Sequence, residues 1–341
     1  MSGRLRVAII AGGRSSEHEI SIASARSVLE GLDPERYETT AIDIARSGRW
    51  ELSGSDSKLL EPRDGTDIET LPVVANSAPA EVLGQIDVAL PILHGPFGED
   101  GTVQGLLELA GVPYVGAGVA ASALCMDKDL FKAVLRDRGI PVARNVTLRE
   151  GDAIAHPFAY PAFVKPARLG SSVGISKVHN ESELEPAVAL ARRHDDKVLI
   201  EELLDGIEIE CGVLGNRDPI ASEVGEIVAH AEWYDYSAKY DEGGMDLVVP
   251  ARIPDGTRER ARSLAVESFV ATECEGMARV DMFATTSGEV VVNEINTIPG
   301  FTATSVYAKL FEASGIPYGE LLDRLIELAL ERHRRKSRLE Y

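Results

Sequence analysis

The chain has few of the residues that build disulfide-rich, zinc-thiolate or membrane proteins. Its three cysteines, Cys125, Cys211 and Cys274, are far apart and form no CxxC or Cys/His pair, so we expect reduced cytosolic thiols. The longest apolar run near the amino terminus, Val7–Ala11, is too short for a secretory signal or a membrane-spanning helix. These observations predict a cytoplasmic protein that does not associate with membranes.

Positive charge is also scarce. The chain carries 35 Lys and Arg against 55 Asp and Glu, for a net charge of −20, which argues against a general binder of nucleic acid or anionic membranes. A small anionic substrate is still compatible with this charge if lysines and glycine backbone are concentrated in one cleft. At 341 residues and 44% hydrophobic content, the chain is expected to form two or three globular domains.

The amino-terminal third alternates strands with helices. This pattern predicts a doubly wound parallel sheet, whose loops at the carboxyl ends of the strands form a crevice. Two glycine-containing loops, Gly12–Glu17 and His94–Gly101, follow such strand ends. The polar stretch Ser53–Ala80 lacks periodicity and is expected to be mostly loop. The predicted elements are strands at Leu5–Ala11, Glu38–Ile44, Asp87–Leu93 and Val112–Val115, and a helix at Glu19–Leu32.

Gly116–Ala121 matches GxGxxA, the dinucleotide fingerprint, so an NAD-dependent oxidoreductase has to be considered. The preceding strand is not the first of its unit. The acid about twenty residues further on, Asp137, lies inside a predicted helix rather than at a strand end. We therefore interpret the motif as a tight turn.

The rest of the chain predicts a small α+β domain followed by an antiparallel sheet. In the α+β part, a glycine loop at Arg168–Gly174 joins two strands, and the expected domain limits are 1–117, 118–200 and 201–341. The predicted elements are helices at Asp127–Arg138, Glu181–Arg193, Thr257–Thr272 and Tyr318–Arg332, and strands at Pro161–Ala167, Ile175–Val178, Lys197–Glu201, Ile207–Leu214 and Pro219–Ile227.

Two apolar runs, Met277–Phe283 and Glu289–Ile295, predict a β-hairpin near the carboxyl end. A two-residue turn at Ser287-Gly288 would pair Asp281 with Glu294. Because side chains alternate along a strand, one face of the hairpin would carry four polar side chains. They are Arg279, Asp281, Glu294 and Asn296.

Two facing carboxylates repel each other at a separation of roughly 5 Å, so something must compensate them. Protonation of one acid or pairing with Arg279 would serve. A third solution is one or two Mg²⁺ or Mn²⁺ ions bound by the oxygens of Asp281, Glu294 and Asn296. We favour the metal, because Mg²⁺ completes its coordination shell with water and nucleotide phosphate oxygens.

Lys165 interrupts an apolar strand, and Lys128 opens a helix, where the helix dipole disfavours a cation. Each alone is usually a salt-bridged lysine. Together with the glycines and hydroxyls of Arg168–Gly174, they indicate phosphate binding by a flexible lid, since the loop lacks the GK[ST] of a Walker A motif.

Three further segments complete the predicted site. Glu201–Leu204 could supply backbone contacts to an adenine edge, or be an ordinary domain crossover, and Glu208 could accept from ribose hydroxyls. Trp233–Gly244 is aromatic and charged without a regular period, which favours an ordered lid. The basic segment His333–Arg338 is expected to complement a helix carboxyl end.

Taken together, these features resemble the ATP-grasp fold and, more closely, the D-alanine–D-alanine ligase family. The resemblance runs from Val7 to about Leu330. Its motifs occur in the expected order at Gly12–Glu17, Leu93–Thr102, Met126–Lys128, Lys165–Gly174, Tyr234–Tyr240 and Asn293–Gly300.

The resemblance implies that ATP phosphorylates one D-alanine and that a second D-alanine attacks the acyl phosphate. The products would be D-alanyl-D-alanine, ADP and phosphate, for peptidoglycan precursor synthesis, and the protein would be a homodimer. The implied catalytic residues are Glu17, Ser171, Tyr240, Arg279 and Gly300. The implied substrate contacts are His94, Ser305 and Val306. The implied ATP contacts are Lys128, Lys165, Ser172, Glu201, Glu202, Leu204, Glu208, Lys239 and Asn293.

Two alternatives remain at this stage. A D-alanine–D-lactate ligase would use the same machinery, but Tyr240 in the second lid resembles the dipeptide-forming type. A nucleotide-binding regulator would bind ATP without turnover and would release no phosphate.

Overall fold

The computed structural model describes residues 3–53, 83, 85–229 and 245–340. Within these ranges the strands form three sheets, of four, five and four strands. The strands are β1 Leu5–Gly12, β2 Tyr37–Ile44, β3 Trp50–Ser53, β4 Val88–Pro91, β5 Asn145–Leu148, β6 Ala162–Pro166, β7 Ser176–Val178, β8 Val198–Glu202, β9 Gly206–Gly215, β10 Ile220–Ala229, β11 Met245–Val248, β12 Gly276–Thr285 and β13 Val290–Asn296.

The helices lie close to the predicted positions. In the described residues they are α1 His18–Gly31, α2 Thr102–Leu109, α3 Val119–Met126, α4 Lys128–Asp137, α5 Glu181–Arg192, α6 Asp255–Ala271, α7 Val306–Ala313 and α8 Tyr318–Lys336. The predicted helices are thereby confirmed within a few residues. Helix α8 runs on through the basic segment, whose side chains occupy its last turn. That is where the negative end of the helix dipole favours cations.

The first sheet has the order β3-β2-β1-β4. Strand β1 is parallel to β2 and β4, as predicted, while the short edge strand β3 is antiparallel. The predicted strand at Val112–Val115 is reduced to one parallel bridge between Ala89 and Tyr114. Strand β1 ends at Gly12, where φ is +86° and a Cβ would lie 2.5 Å from the Ile44 carbonyl oxygen. A side chain is therefore excluded where the chain turns into the site.

The second sheet has the order β11-β10-β9-β12-β13 and the third has the order β5-β8-β6-β7. All pairings in these two sheets are antiparallel. Helix α6 packs with the second sheet in one apolar core, and α5 packs with the third in another. A further core joins the parallel sheet to α1 and α8 and includes Phe301 and Tyr307. This core anchors the loop after β13 beside the carboxyl ends of β1 and β4.

The carboxyl-terminal hairpin differs from the prediction in its turn. The Thr285 amide donates to the Glu289 carbonyl at 2.8 Å, so Thr285 and Glu289 close a three-residue loop, Thr286–Gly288. Within it, the Gly288 amide donates to the Thr285 carbonyl at 2.9 Å. Gly288 has φ of +87°, as expected when an αL residue closes a three-residue hairpin loop. The predicted two-residue turn is therefore wrong.

A β-bulge restores the predicted pairing at the far end of the hairpin. Beside the turn, Met282 pairs with Val292, and the register then shifts so that Asp281 faces Glu294. Asn293 is the additional residue on β13. The longer turn shifts the register by one residue, and the bulge shifts it back by one residue. The predicted pairs of the acidic face are thus confirmed, Asp281 with Glu294 and Arg279 with Asn296.

Candidate functional site

A cleft of about 520 Å³ lies between the parallel sheet and the carboxyl-terminal hairpin. It brings together predicted site residues from distant parts of the sequence. Those that line it are Glu17, His94, Ser171, Glu208, Arg279, Glu294, Asn296, Gly300, Ser305 and Val306.

On the parallel-sheet side, two loops hold each other. The Ser15 hydroxyl donates to the His94 carbonyl at 2.7 Å and accepts from the Glu17 amide at 3.2 Å. The Ser171 hydroxyl donates to the Glu17 carboxylate. The loop Arg168–Gly174 therefore contacts the amino-terminal turn directly. Ser171 and Ser172 both have positive φ, of 53° and 57°, a conformation that is uncommon for non-glycine residues and occurs at functional sites.

The buried imidazole of His94 is held in one tautomer. Its Nδ1 lies 3.0 Å from the Ile298 carbonyl oxygen, which can only accept, so Nδ1 carries the proton. Burial lowers the pKa of His94, although the nearby Glu17 carboxylate opposes this shift. Nε2 is buried and has no hydrogen-bond partner among the described residues. At neutral pH it therefore presents a lone pair.

Arg279 organises the acidic face of the hairpin. Its Nε and Nη2 each lie 2.7 Å from one oxygen of Asp281, and its Nε is 2.9 Å from Glu210. Burial acts against the guanidinium charge, but Asp281 and Glu210 outweigh it and raise the pKa of Arg279. The Asn296 amide donates to Asp281 at 2.9 Å. The pairing of Arg279 with Asp281, one of the three predicted solutions, is thus observed.

Three lysines surround two carboxylates beside this face. Lys128 Nζ lies 3.2 Å from Glu294, and Lys165 Nζ lies 3.0 Å from Glu201. Lys132 Nζ is 3.4 Å from the same Glu201 oxygen. Burial opposes ionisation of Glu201, but the two lysines prevail and lower its carboxyl pKa. We call these five residues the three-lysine cluster.

The remaining predicted site residues lie around this cluster or outside the described ranges. Glu202 binds Arg144, with 2.6 Å between Arg144 Nη2 and the carboxylate, and Leu204 is half-buried after β8. Asn293 occupies the bulge, and its carbonyl oxygen accepts from Lys132 at 3.3 Å. Lys239 and Tyr240, with the whole predicted lid Trp233–Gly244, lie outside the described residues.

The sequence reasoning missed three residues of the site. Glu210 lies opposite Asp281 on the other neighbouring strand, and its alternation with Glu208 was the available signal. Lys132 follows Lys128 by one helical turn, between the buried Phe131 and Leu135. That position is on the apolar face of the helix.

Glu99 is the third missed residue, although it belongs to a motif of the sequence. It accepts from the Gly95 amide at 2.7 Å and from the Ile298 amide at 3.1 Å. It thereby ties the His94 loop to the segment after β13. Burial raises the pKa of Glu99 to about 8, assisted by the charge of Glu17.

The acidic face has the oxygen donors that a hard divalent cation requires. Asp281 and Glu294 face each other across the ladder, and Asn296 adds an amide oxygen beside them. Arg279 contacts Asp281 and Lys128 contacts Glu294, so each carboxylate has a cation beside it. Among the described residues, no group of three His, Cys, Asp or Glu side chains forms a metal cluster. Two carboxylates and one amide oxygen would leave the other positions of a bound cation to water or phosphate oxygens.

The helices were also compared with the length and hydropathy that a membrane span requires. In the ranges that the structure covers, every helix is too short or too polar to cross a lipid bilayer.

Comparison with known proteins agrees with this geometry. Two family models match, described as D-ala D-ala ligase N-terminus over residues 6–117 and D-ala D-ala ligase C-terminus over residues 134–327. A D-alanine–D-alanine ligase A from Chromobacterium violaceum is 49% identical over 354 aligned positions, covering 97% of each chain.

Solved structures show the same relation. A D-Ala:D-Ser ligase from Enterococcus faecalis superposes with a TM-score of 0.84 at 38% identity, covering 96% of this chain and 100% of the other. A D-alanine–D-alanine ligase from Bacillus anthracis in complex with ATP gives 0.78 at 29% identity, covering 97% and 99%. Since both family models and a full-length relative match, this chain belongs to the D-alanine–D-alanine ligase family, which has the ATP-grasp fold.

Proposed function

We propose that the protein uses ATP to join two D-alanines through a D-alanyl phosphate, giving D-alanyl-D-alanine, ADP and phosphate for peptidoglycan precursors. The observation that carries this proposal is the convergence on one cleft of Glu17, Ser171, Arg279 and Glu294. Ser171 donates to Glu17, and Glu294 is in turn contacted by Lys128 of the three-lysine cluster. Binding an ammonium beside a phosphoryl group requires an anion and several cations within one enclosed space.

The first D-alanine is proposed to place its ammonium at Glu17. Ser171 already bonds this carboxylate, so the loop that covers the phosphates would also sense the substrate. His94 lies beside the same position. Because its Nε2 lone pair accepts rather than donates, we propose that it pairs with an N–H of the ammonium, whereas a carboxylate contact would require the protonated imidazole.

ATP is proposed to place its phosphates beside Lys128 and Lys165 of the three-lysine cluster. Lys128 and Lys165 would neutralise phosphate oxygens, and the backbone of Ser171 and Ser172 would close over them. At the other end, the adenine would meet the strand end at Glu201, Glu202 and Leu204. Glu208, Lys239 and Asn293 are proposed as further ATP contacts, of which Lys239 lies outside the described residues.

Mg²⁺ or Mn²⁺ is proposed to be held by Asp281, Glu294 and Asn296, with two ions taken up together with ATP. When bound, such an ion neutralises charge on the transferring phosphoryl group. The protein's own contribution is to hold both carboxylates on one face of the hairpin, with Arg279 beside Asp281 and Lys128 beside Glu294.

Acyl transfer to the second D-alanine produces an oxyanion. Arg279 and the Gly300 amide are the proposed donors to it. The second carboxylate would rest at Ser305 and Val306, which line the cleft where α7 begins. Tyr240, with Glu17 and Ser171, is proposed to close the site against water, since acyl phosphates hydrolyse.

We further propose the domain limits 1–117, 118–200 and 201–341, a cytoplasmic location and a homodimeric assembly. Analytical ultracentrifugation of the purified chain tests the assembly. A single monomer species at micromolar concentration would refute it.

A product assay with ATP, MgCl₂ and D-alanine tests the function. We expect phosphate and D-alanyl-D-alanine in equal amounts. D-Lactate and D-serine are supplied in parallel arms, each with D-alanine, and mass spectrometry of the products separates amide from ester. A preference for the ester at neutral pH would make the chain a depsipeptide ligase, and an absence of phosphate release would make it a nucleotide-binding regulator.

A further inference from the structure

The most deeply buried cation of the site has no role in the proposed chemistry. The Lys132 side chain is 0% exposed, although burying an ammonium is costly unless every contact is favourable. Its Nζ lies 3.4 Å from Glu201 and 3.3 Å from the Asn293 carbonyl oxygen. Lys132 therefore joins an acid of strand β8 to the backbone of strand β13.

Neutralising Glu201 does not by itself account for Lys132. Lys165 already approaches the same carboxylate oxygen more closely, at 3.0 Å. A second buried ammonium is unfavourable, since the charge of Lys165 repels that of Lys132. Burial, together with this repulsion, lowers the pKa of Lys132 to about 8. The contact that only Lys132 makes among these lysines is the one to Asn293.

Asn293 is the residue on which the geometry of the acidic face depends. It is the extra residue of the β13 bulge. If β13 continued in the register found beside the turn, Asp281 would face Asn293, and Glu294 would project to the opposite side of the sheet. The bulge therefore turns Glu294 and Asn296 toward Asp281.

The flanking contacts fix β13 on the turn side of the bulge. The Val292 amide donates to the Pro141 carbonyl at 2.9 Å, and Val142 forms a bridge with Val292. Both residues lie in the segment that follows α4, the helix that carries Lys132. One helix and its following loop thus hold two successive residues of the edge strand, Val292 through backbone and Asn293 through an ammonium.

We propose that Lys132 is a positioning residue that holds the Asn293 bulge and so sets Glu294 and Asn296 on the metal-binding face. It acts through the Asn293 carbonyl and does not touch the reacting groups. The part of this inference that concerns metal rests on the proposed function. The part that concerns the bulge does not.

Hydrogen exchange measured by mass spectrometry tests the bulge in the protein without added nucleotide. Lys132→Met keeps the length of the side chain and removes the donor. We expect exchange in β13 to accelerate about tenfold relative to exchange in β8, as for loss of one charge-assisted hydrogen bond at a local opening. An unchanged ratio between the two strands would overturn the proposal.

Lys197→Met is the matched control. Lys197 is also buried, at 4% exposure, and binds Asp127 and Asp129 without contacting β13. General destabilisation should speed exchange in β13 and β8 by the same factor. If Lys132→Met does not fold, Lys132→Gln retains a shorter donor. It should change the ratio in the same direction by a smaller factor, and an unchanged ratio again contradicts the proposal.

Binding of Mn²⁺ in the presence of ADP, followed by electron paramagnetic resonance, tests the consequence for the metal. We expect about tenfold weaker binding in Lys132→Met. Equal Mn²⁺ affinity in the wild type and the variant would overturn the proposal. A wild-type protein that binds no Mn²⁺ with ADP would instead refute the metal site of the proposed function, and the exchange ratio would still decide the role of Lys132 in the bulge.

Discussion

Helix α4 stands between two buried lysine–carboxylate clusters that differ in charge balance. The three-lysine cluster has three ammonium groups around Glu201 and Glu294. On the other side, a single-lysine cluster has Lys197 between Asp127 and Asp129, with Nζ–oxygen distances of 2.6 and 3.4 Å. The first has an excess of cation, whereas the second has an excess of carboxylate.

The local hydrogen bonds explain why the second cluster is complete without a ligand. Asp127 caps α4 by accepting from the Leu130 amide at 3.2 Å, and Asp129 accepts from the Thr147 hydroxyl at 2.7 Å. Burial acts against ionisation of Asp129, but Thr147 and Lys197 lower its carboxyl pKa. The single-lysine cluster therefore stabilises the fold, while the three-lysine cluster has charge available for an anion such as phosphate.

The largest expected difference between the clusters is in catalysis. Glu294→Ala removes a proposed metal ligand and should lower dipeptide formation at millimolar Mg²⁺ by about a thousandfold or more. Asp129→Ala, in the single-lysine cluster, should stay within about threefold of the wild type, because no substrate reaches it. Coupled assays of ADP and dipeptide provide the measurement. Near-normal turnover in Glu294→Ala would contradict the prediction that the two clusters differ in their role in catalysis.

Exchanging the lysines should separate stability from nucleotide binding. Lys197→Met leaves the buried Asp127 and the half-buried Asp129 without their lysine and should lower the free energy of unfolding by about 3 kcal/mol. The KM for ATP should remain unchanged. Lys165→Met should raise the KM for ATP about tenfold or more. Urea unfolding and initial rates test both, and a loss of ATP affinity in Lys197→Met would contradict the comparison.

Glu99 extends the comparison to an acid held by backbone amides instead of lysine. Its folded-state pKa of about 8 lies above the usual value of 4.5. Between these values the unfolded chain releases a proton that the folded chain retains, so rising pH favours unfolding.

We expect Glu99→Gln to gain about 2.5 kcal/mol relative to the wild type between pH 5 and pH 7, since it has no proton to lose. Urea unfolding at pH 5, 7 and 9 measures this difference. A constant difference across that range would show that Glu99 is ionised in the folded protein.

The smallest effect is expected at an exposed ion pair at the end of strand β8. Arg144 binds Glu202, but its side chain is 72% exposed. Solvent screens such pairs, so Arg144→Ala should change the free energy of unfolding by less than about 1 kcal/mol. Thermal unfolding at low and high salt tests this. A loss of several kcal/mol would mean that this exposed ion pair stabilises the fold as much as the buried clusters do.

Local sequence was sufficient for most elements. The positions predicted for α1, α5, α6, α8, β9 and β12 agree with the structure within a few residues. The glycine turn after β1 and the loop at His94 were also correctly assigned to strand ends. These features depend on neighbours in the sequence, so their signals are local.

Residues that act through distant partners were not recognised. Lys132 has the spacing of a core position on α4, yet its partners are about 70 and 160 residues away. Glu99 and Glu210 likewise acquire their significance from the Ile298 amide and Arg279. Nothing beside these residues in the sequence specifies those contacts, because the fold alone brings them together.

The carboxyl-terminal hairpin shows most clearly what the sequence determines and what tertiary packing determines. Alternation along β12 and β13 determined which side chains could share a face, because pleating is a property of the backbone itself. The three-residue turn and the Asn293 bulge were decided only when β13 packed against β12, the Pro141–Val142 segment and Lys132. Register depends on contacts across the whole sheet edge. The sequence therefore determined the acidic face, and tertiary packing determined how its acids meet.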